Sequence, residues 1–333
     1  MKAGNGRVER AKPSVHSQAR SLNGLPKILS SLGDLDVRLA TTGREIQHAQ
    51  KLRYRVFFEE GGAVADRAAR LVRRDICRFD AVADHLIVVD NSIKRIDGAP
   101  SVVGAYRLLR QDVAEANFGF YSAAEFEIGA LTTRHPEKRF LELGRSCVAE
   151  GYRGRRALEL LWRGIWAYAI HHRIDVMFGC ASFPGSAVRS HASALQFLRA
   201  ESLASSTWDV RAAPGQAADE GATEPVSARA IVRALPPLIK GYWRVGAKFS
   251  RDAVVDEAFG ATDVLVVLPV EEIRERYLAH FAPASQGAEP VAPGNRVKKP
   301  FGDEDFEGIV CRSPAHGIEG HRLDGAGFVG ARV

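Results

Sequence analysis

Glu142 and Arg145 stand three residues apart in LELGRSCV (141–148), a carboxylate and a guanidinium inside an otherwise strand-like string. A carboxylate on a half-buried strand beside a cleft can have its pKa raised into the working range of a general base, and Glu142 is the candidate for that role. The competing reading is a structural ion pair of Glu142 with Arg145 or another arginine. Arg145 and Arg107 can grip a carboxylate through forked hydrogen bonds, or lock Glu142 and the acidic pair Asp80 and Asp84 in place. Just after the string, GYRGRR (151–156) is a glycine-containing turn that opens a helical pattern, and unpaired amides at a helix N-terminus suit an anion. Arg153, Arg155, Arg156 and Arg163 surround that turn, either as a patch that steers an acidic partner or as a solvated helix face.

Other chemistry finds less support. Cys77, Cys147, Cys180 and Cys311 lie far apart, with no C-x-x-C pair and no histidine at ligand spacing, so they read as reduced thiols with no metal site. Cys147 has no histidine in a recognisable triad arrangement, and His85 and His191 read as structural.

The elements that must position these groups alternate between strand and helix patterns. Residues 37–42 read as a strand and 44–60 as an amphipathic helix with Leu52, Val56 and Phe57 on one face. Strands follow at 85–90 and 102–109 with an Asp-Gly turn between them, then a strand at 140–148, a helix at 156–172 and a strand at 176–183. A helix over 186–200 is capped by Ser186; a buried strand lies at 263–269, and a closing helix at 270–281. This order predicts an α/β fold whose central sheet is mixed in direction and flanked by helices. No G-x-G-x-x-G follows the first strand, which disfavours a dinucleotide fold.

The 333 residues, 46% hydrophobic and 26% charged, suit a globular chain, so disorder is a local matter. Residues 1–34, with six Lys/Arg against one Glu in the first thirty, and residues 284–333, rich in Gly, Pro and Ala, read as poorly ordered tails. Residues 212–228 read as a flexible loop within a 35–283 domain. The apolar runs are interrupted too early to span a bilayer, and the N-terminus has no apolar signal region, so a cytoplasmic protein is expected. A net charge of +6 by itself does not choose among nucleic acid, anionic membrane and acidic protein.

Resemblance narrows the choice. The strand-turn-helix at 140–172 resembles the core of the GNAT acyltransferases, in which a splayed strand and the next helix N-terminus hold the pantetheine and phosphate of an acyl carrier. Gly151, Gly154 and a displaced Ala157 stand for that family's Q/R-x-x-G-x-G/A loop. Four pieces in order resemble the acyl-homoserine-lactone synthases: RYRVF (53–57), Phe79-Asp80 with Asp84, GAYRLL (104–109) and ELGR (142–145). The Trp that follows R-x-x-V-F in those enzymes is absent here, and the acidic spacing differs. Longer strings, including FDAVADHLIV (79–88), GFYSAAEFEI (119–128), LPPLIKGYWRVGA (235–247) and FGATDVLVVLPVE (259–271), resemble the ornithine acyltransferases of ornithine-lipid biosynthesis, often labelled hemolysin-like.

That resemblance implies transfer of a 3-hydroxyacyl group from acyl carrier protein to the α-amine of L-ornithine, with the carrier thioester as co-substrate and no cofactor. It implies Glu142 and Arg145 as the catalytic pair. Arg53, Asp80, Asp84 and Arg107 become substrate contacts, the two aspartates facing the side-chain amine. Val148, Gly151, Arg153, Gly154, Arg155 and Arg156 would hold the phosphopantetheine, and Phe57 would line the acyl channel unless it packs in the core. Tyr106 or Ser182 is the candidate proton donor to the leaving thiolate. Peripheral contact with the inner membrane is the remaining partner surface, and no nucleic acid is expected. The alternatives are lactone synthesis from S-adenosylmethionine and a non-catalytic sensor of acyl carrier protein.

Overall fold

The computed structural model describes residue 22 and residues 24–95, 98–221 and 226–274. In chain order it builds β1 (Ser30–Leu32), β2 (Leu35–Leu39), α1 (Gly43–Tyr54), α2 (Arg67–Val72), β3 (Asp84–Asp90), β4 (Ser101–Arg110) and α3 (Gln111–Glu115). Then come α4 (Ile128–Arg134), β5 (Phe140–Val148), α5 (Arg155–His171), β6 (Val176–Pro184), α6 (Ala192–Ser202), α7 (Ala228–Ala234), α8 (Pro237–Val245), β7 (Lys248–Asp256) and β8 (Ala261–Pro269).

The strands form one sheet in the order β1-β2-β3-β4-β5-β6-β8-β7. Every neighbouring pair is antiparallel except β5 and β6, which run parallel because α5 carries the chain back between them. The expected mixed α/β sheet is therefore present. Helix α5 buries Leu158, Leu161, Ile165 and Tyr168 at helical spacing against it. It lies so close over β2 and β3 that a Cβ at Gly164 would stand 2.7 Å from Val37 Cγ2, so only glycine fits there.

The parallel pair is also where the sheet opens. β5 and β6 are in register only at Phe140–Val176, Leu141–Met177 and Glu142–Phe178, although both strands run on to Val148 and Pro184. Two causes act together. β6 stays zipped to β8 along its full length, from Val176–Pro269 to Pro184–Ala261. β5 carries a bulge against β4, where Ala105 and Arg107 face Cys147 and Gly144, and Arg145 takes the left-handed φ of 54° that the extra residue requires. At the fork the Leu143 carbonyl turns onto Gly179, leaving no room there for a Cβ. Gly179→Ala is therefore expected to cost about 1–3 kcal/mol in urea unfolding. Unchanged stability would show that the fork is looser than drawn.

Several local expectations give way. Residues 24–34 do not lie outside the domain: Leu25 and Leu29 are buried and β1 pairs with β2, since the apolar side chains find a sheet edge to cover. Residues 1–21 and 23, and the C-terminal segment from 275, lie outside the described residues. Helix α1 ends at Tyr54 and continues as a π-helical turn, Arg55–Glu60. Ser186 does not cap a helix; a 3-10 turn at Val188–His191 precedes α6. The part of 212–228 described up to Gly221 lies along β7, through a bridge from Ala217 to Val254 and a bond from Ala218 N–H to the Ala253 carbonyl. Its backbone groups thereby find partners, which is what fixes it.

Candidate functional site

Strand alternation puts Glu142, Phe178 and Cys180 on one face of the sheet, and the pairing of Ser182 with Asp263 adds those two to it. Arg107 joins the same face opposite Gly144. What covers that face decides which of these groups can meet a substrate.

Arg53, Asp80 and Arg107 are committed to one another. Arg53, 1% exposed, donates to both Asp80 oxygens at 2.9 and 2.7 Å and to the Asp75 carbonyl at 2.5 Å. Its Nε stands 2.7 Å from Asp75 Oδ2, a contact of charge without hydrogen-bond alignment. Gln50 and the Cys77 N–H also donate to Asp80, and Arg107 approaches it at 3.7 Å. Burial raises the Asp80 pKa, but the charge and hydrogen bonds of Arg53 outweigh it and hold this carboxyl well below the usual range. The direct substrate contacts expected of Arg53, Asp80 and Arg107 are thus replaced by a buried clasp joining α1, the 75–81 segment and β4. Asp84 is elsewhere, accepting from the Tyr168 hydroxyl of α5 at 2.6 Å beside Arg110. The two aspartates do not form one amine pocket.

Glu142 faces the fork from beneath a turn. Its carboxylate accepts from the Tyr121 N–H at 2.8 Å, the Ser122 N–H at 2.7 Å and the Ser122 hydroxyl at 2.6 Å. Glu142 is 3% exposed and Ser122 1%, so both lie beneath the surface of the fork. The Cys180 thiol lies 3.4 Å from Ser122 Oγ and 3.4 Å from Glu125 Oε2. Burial, then the charges of Asp263 and Glu125, push the Cys180 thiol well up, so it is no thiolate nucleophile.

Arg145 forms the rim. Its guanidinium lies over the Tyr121 and Phe259 rings at 4.7 and 4.6 Å, with Nε 3.2 Å from Asp75. Phe57 meets the same Phe259 ring edge-on at 5.7 Å, so Phe57, Phe58 and Phe259 make an apolar wall adjoining the arginine. Tyr106 points to the other side, 3.2 Å from the Tyr242 hydroxyl, which removes it as a proton donor at the fork; Ser182 remains on the cleft face and is exposed.

At the turn behind β5, Gly154 precedes α5 with no side-chain cap on the helix amides. Gly151, Gly154 and Arg156 line a groove of about 290 Å³ with Asp34, Asp90 and Tyr152. Arg156 is exposed there, whereas Arg153 is ion-paired with Glu60 and bonded to the Val148 carbonyl, and Arg163 is paired with Glu159. The Arg155 side chain lies outside the described residues. Among the described side chains, Arg156 is thus the cation of this cluster left exposed at the groove.

Sequence reasoning assigned no role to Tyr121, Ser122, Glu125, Phe259 or Asp263. The signal for Asp263 was available: a single carboxylate within ATDVLVVLP, a strand buried at every position. Among the described residues, no helix is long and apolar enough to cross a membrane.

Residues 52–163, from the end of α1 to the middle of α5, match the acetyltransferase (GNAT) domain. The chain is 51% identical over 256 residues to an L-ornithine N(alpha)-acyltransferase of Agrobacterium fabrum, covering 76% of this chain and 87% of the relative. It is 51% identical over 269 residues to the enzyme of that name from Rhizobium meliloti, covering 80% and 90%. A third, from Rhodobacter capsulatus, is 36% identical over 252 residues, covering 76% and 96%.

Proposed function

Because the chain belongs to the L-ornithine N(alpha)-acyltransferases, we propose that it transfers a 3-hydroxyacyl group from acyl carrier protein to the α-amino group of L-ornithine at the β5–β6 fork. The product is lyso-ornithine lipid, the first intermediate of ornithine-lipid biosynthesis. The observation that carries this reading is the fork itself, with Glu142, Ser122 and Cys180 on its floor and Arg145 on its rim.

Beyond Glu142, β5 makes no ladder to β6, and that edge suits the amide groups of a pantetheine arm entering as an added strand. The uncapped α5 N-terminus and Arg156 suit the arm's phosphate. The amine nitrogen attacks the thioester carbonyl; the C–N bond forms as the C–S bond breaks. The nitrogen's proton passes through the Ser122 hydroxyl to Glu142, and the thiolate takes a proton from the solvated rim, where Ser182 lies. Arg145 holds the amino acid's carboxylate, and the Phe57 wall receives the acyl chain. The donor is a protein carrier, and the compartment is the cytoplasm, with the basic N-terminal residues available to the inner membrane.

Cells that lack ornithine lipid and express this chain are expected to accumulate an ornithine amide of a 3-hydroxy fatty acid, read by mass spectrometry of the lipid extract. An acyl lactone in that extract would instead favour signal synthesis.

A further inference from the structure

Asp263 is a buried carboxyl group with no ion-pair partner among the described residues. It is 5% exposed in a strand whose every residue is buried, and its Oδ1 has no hydrogen-bond partner. Ser182 bonds to the carboxyl group, leaving that oxygen bare. Its carboxylate, a Glu125 oxygen and the Cys180 sulfur lie within 4.8 Å of one another. A buried polar atom left unmatched costs stability, so its retention calls for a ligand.

The electrostatics say which kind. Glu125, Asp256 and Asp263 interact through their charges, and Arg145 is the cation that acts on Glu125 and Asp263. Burial, then Glu125, pushes the Asp263 carboxyl up to about 7, and burial, then Asp256, raises Glu125. Three carboxyl groups here face one arginine, so an added cation would be attracted. A primary ammonium brings three N–H donors and one charge, which match two carboxylates and a sulfur.

We infer that Glu125, Asp263 and Cys180 form the pocket for the side-chain ammonium of the acceptor amino acid, and that this pocket makes the enzyme select a diamino acid. The inference rests on the acyl-transfer reading for the substrate's identity. With the carboxylate at Arg145 on β5 and the side-chain ammonium at β6 and β8, the α-amine is left between them, near Ser122.

The test compares ornithine with norvaline, which has the same carbon skeleton without the terminal amine, as acceptors for wild type, Asp263→Asn and Glu125→Gln. Thiol release from acyl carrier protein gives kcat/KM, and calorimetry gives amino-acid binding without carrier. Wild type is expected to prefer ornithine at least about 100-fold, and each variant to lose at least about tenfold of that ratio through KM for ornithine. Asp263→Asn should also melt no lower than wild type at pH 8, because it removes an unmatched buried charge; a structural aspartate would lower the melting temperature. An unchanged ratio in variants that still acylate both acceptors overturns the pocket, as does a stoichiometric divalent ion held by these side chains. If wild type acylates neither, the acyl-transfer reading fails. Calorimetry alone then decides the pocket: ornithine must still bind wild type at least about tenfold tighter than norvaline, and equal binding overturns it.

Discussion

Ser122→Ala is expected to lower the rate of acyl transfer by about 10²- to 10⁴-fold while leaving the affinity for acyl carrier protein unchanged. The hydroxyl is a side-chain donor to Glu142 and also lies toward Cys180, so its removal cuts the proposed proton path without unmaking the turn. The Tyr121 and Ser122 N–H groups still hold the carboxylate. Glu142→Gln should give a similar loss, with an added structural cost. One glutamine oxygen cannot accept all three donors, and its NH₂ group would confront an N–H, at about 1–3 kcal/mol. The serine variant is therefore the cleaner probe, and rapid-quench single turnover separates chemistry from binding. A non-catalytic carrier sensor would show no effect of either change.

The second large effect is on folding. Arg53→Met and Asp80→Asn should each destabilise by about 3–5 kcal/mol, because breaking a buried ion pair strands its partner. Against a typical 5–15 kcal/mol, that is a large fraction of the whole. The clasp also sets an acid limit. Asp80 has its folded pKa depressed, so its contribution is present above the unfolded value of about 4 and is lost as the pH falls below it. Urea midpoints of the wild type should accordingly drop between pH 4 and pH 2, and Asp80→Asn should flatten that drop. If the expected substrate role were right instead, both variants would keep their stability and raise KM for ornithine.

The parts legible in the sequence are those with strong local periodicity. β5 begins and ends where its pattern says, α5 is shifted by one residue at each end, and β6 runs one residue further at its C-terminal end. What the sequence concealed depends on tertiary geometry. The bulge at Arg145 arises from the mismatch of β4 with β5, and no local signal marks a left-handed arginine. Asp80 and Asp84 are close in sequence, but Asp84 opens β3 and turns to α5 while Asp80 stays in the preceding turn under Arg53. Glu142 was picked out as a carboxylate on a half-buried strand; the fully buried β8 also carries a single carboxylate, Asp263. Ser122 and Glu125 lie in a short 3-10 turn and its end, where composition carries no periodic signal, and only the fold brings them to the fork.

In the proposed reaction the fork joins a carrier-borne acyl group to the α-nitrogen of ornithine. Purified protein, 3-hydroxyacyl-acyl carrier protein and ornithine labelled with ¹⁵N at the α position test it directly, with tandem mass spectrometry of the product. An amide at the labelled nitrogen is expected, with the carboxylate and the terminal amine free and one carrier thiol released per amide. Acylation of the unlabelled nitrogen, or a product without a free carboxylate, would contradict it.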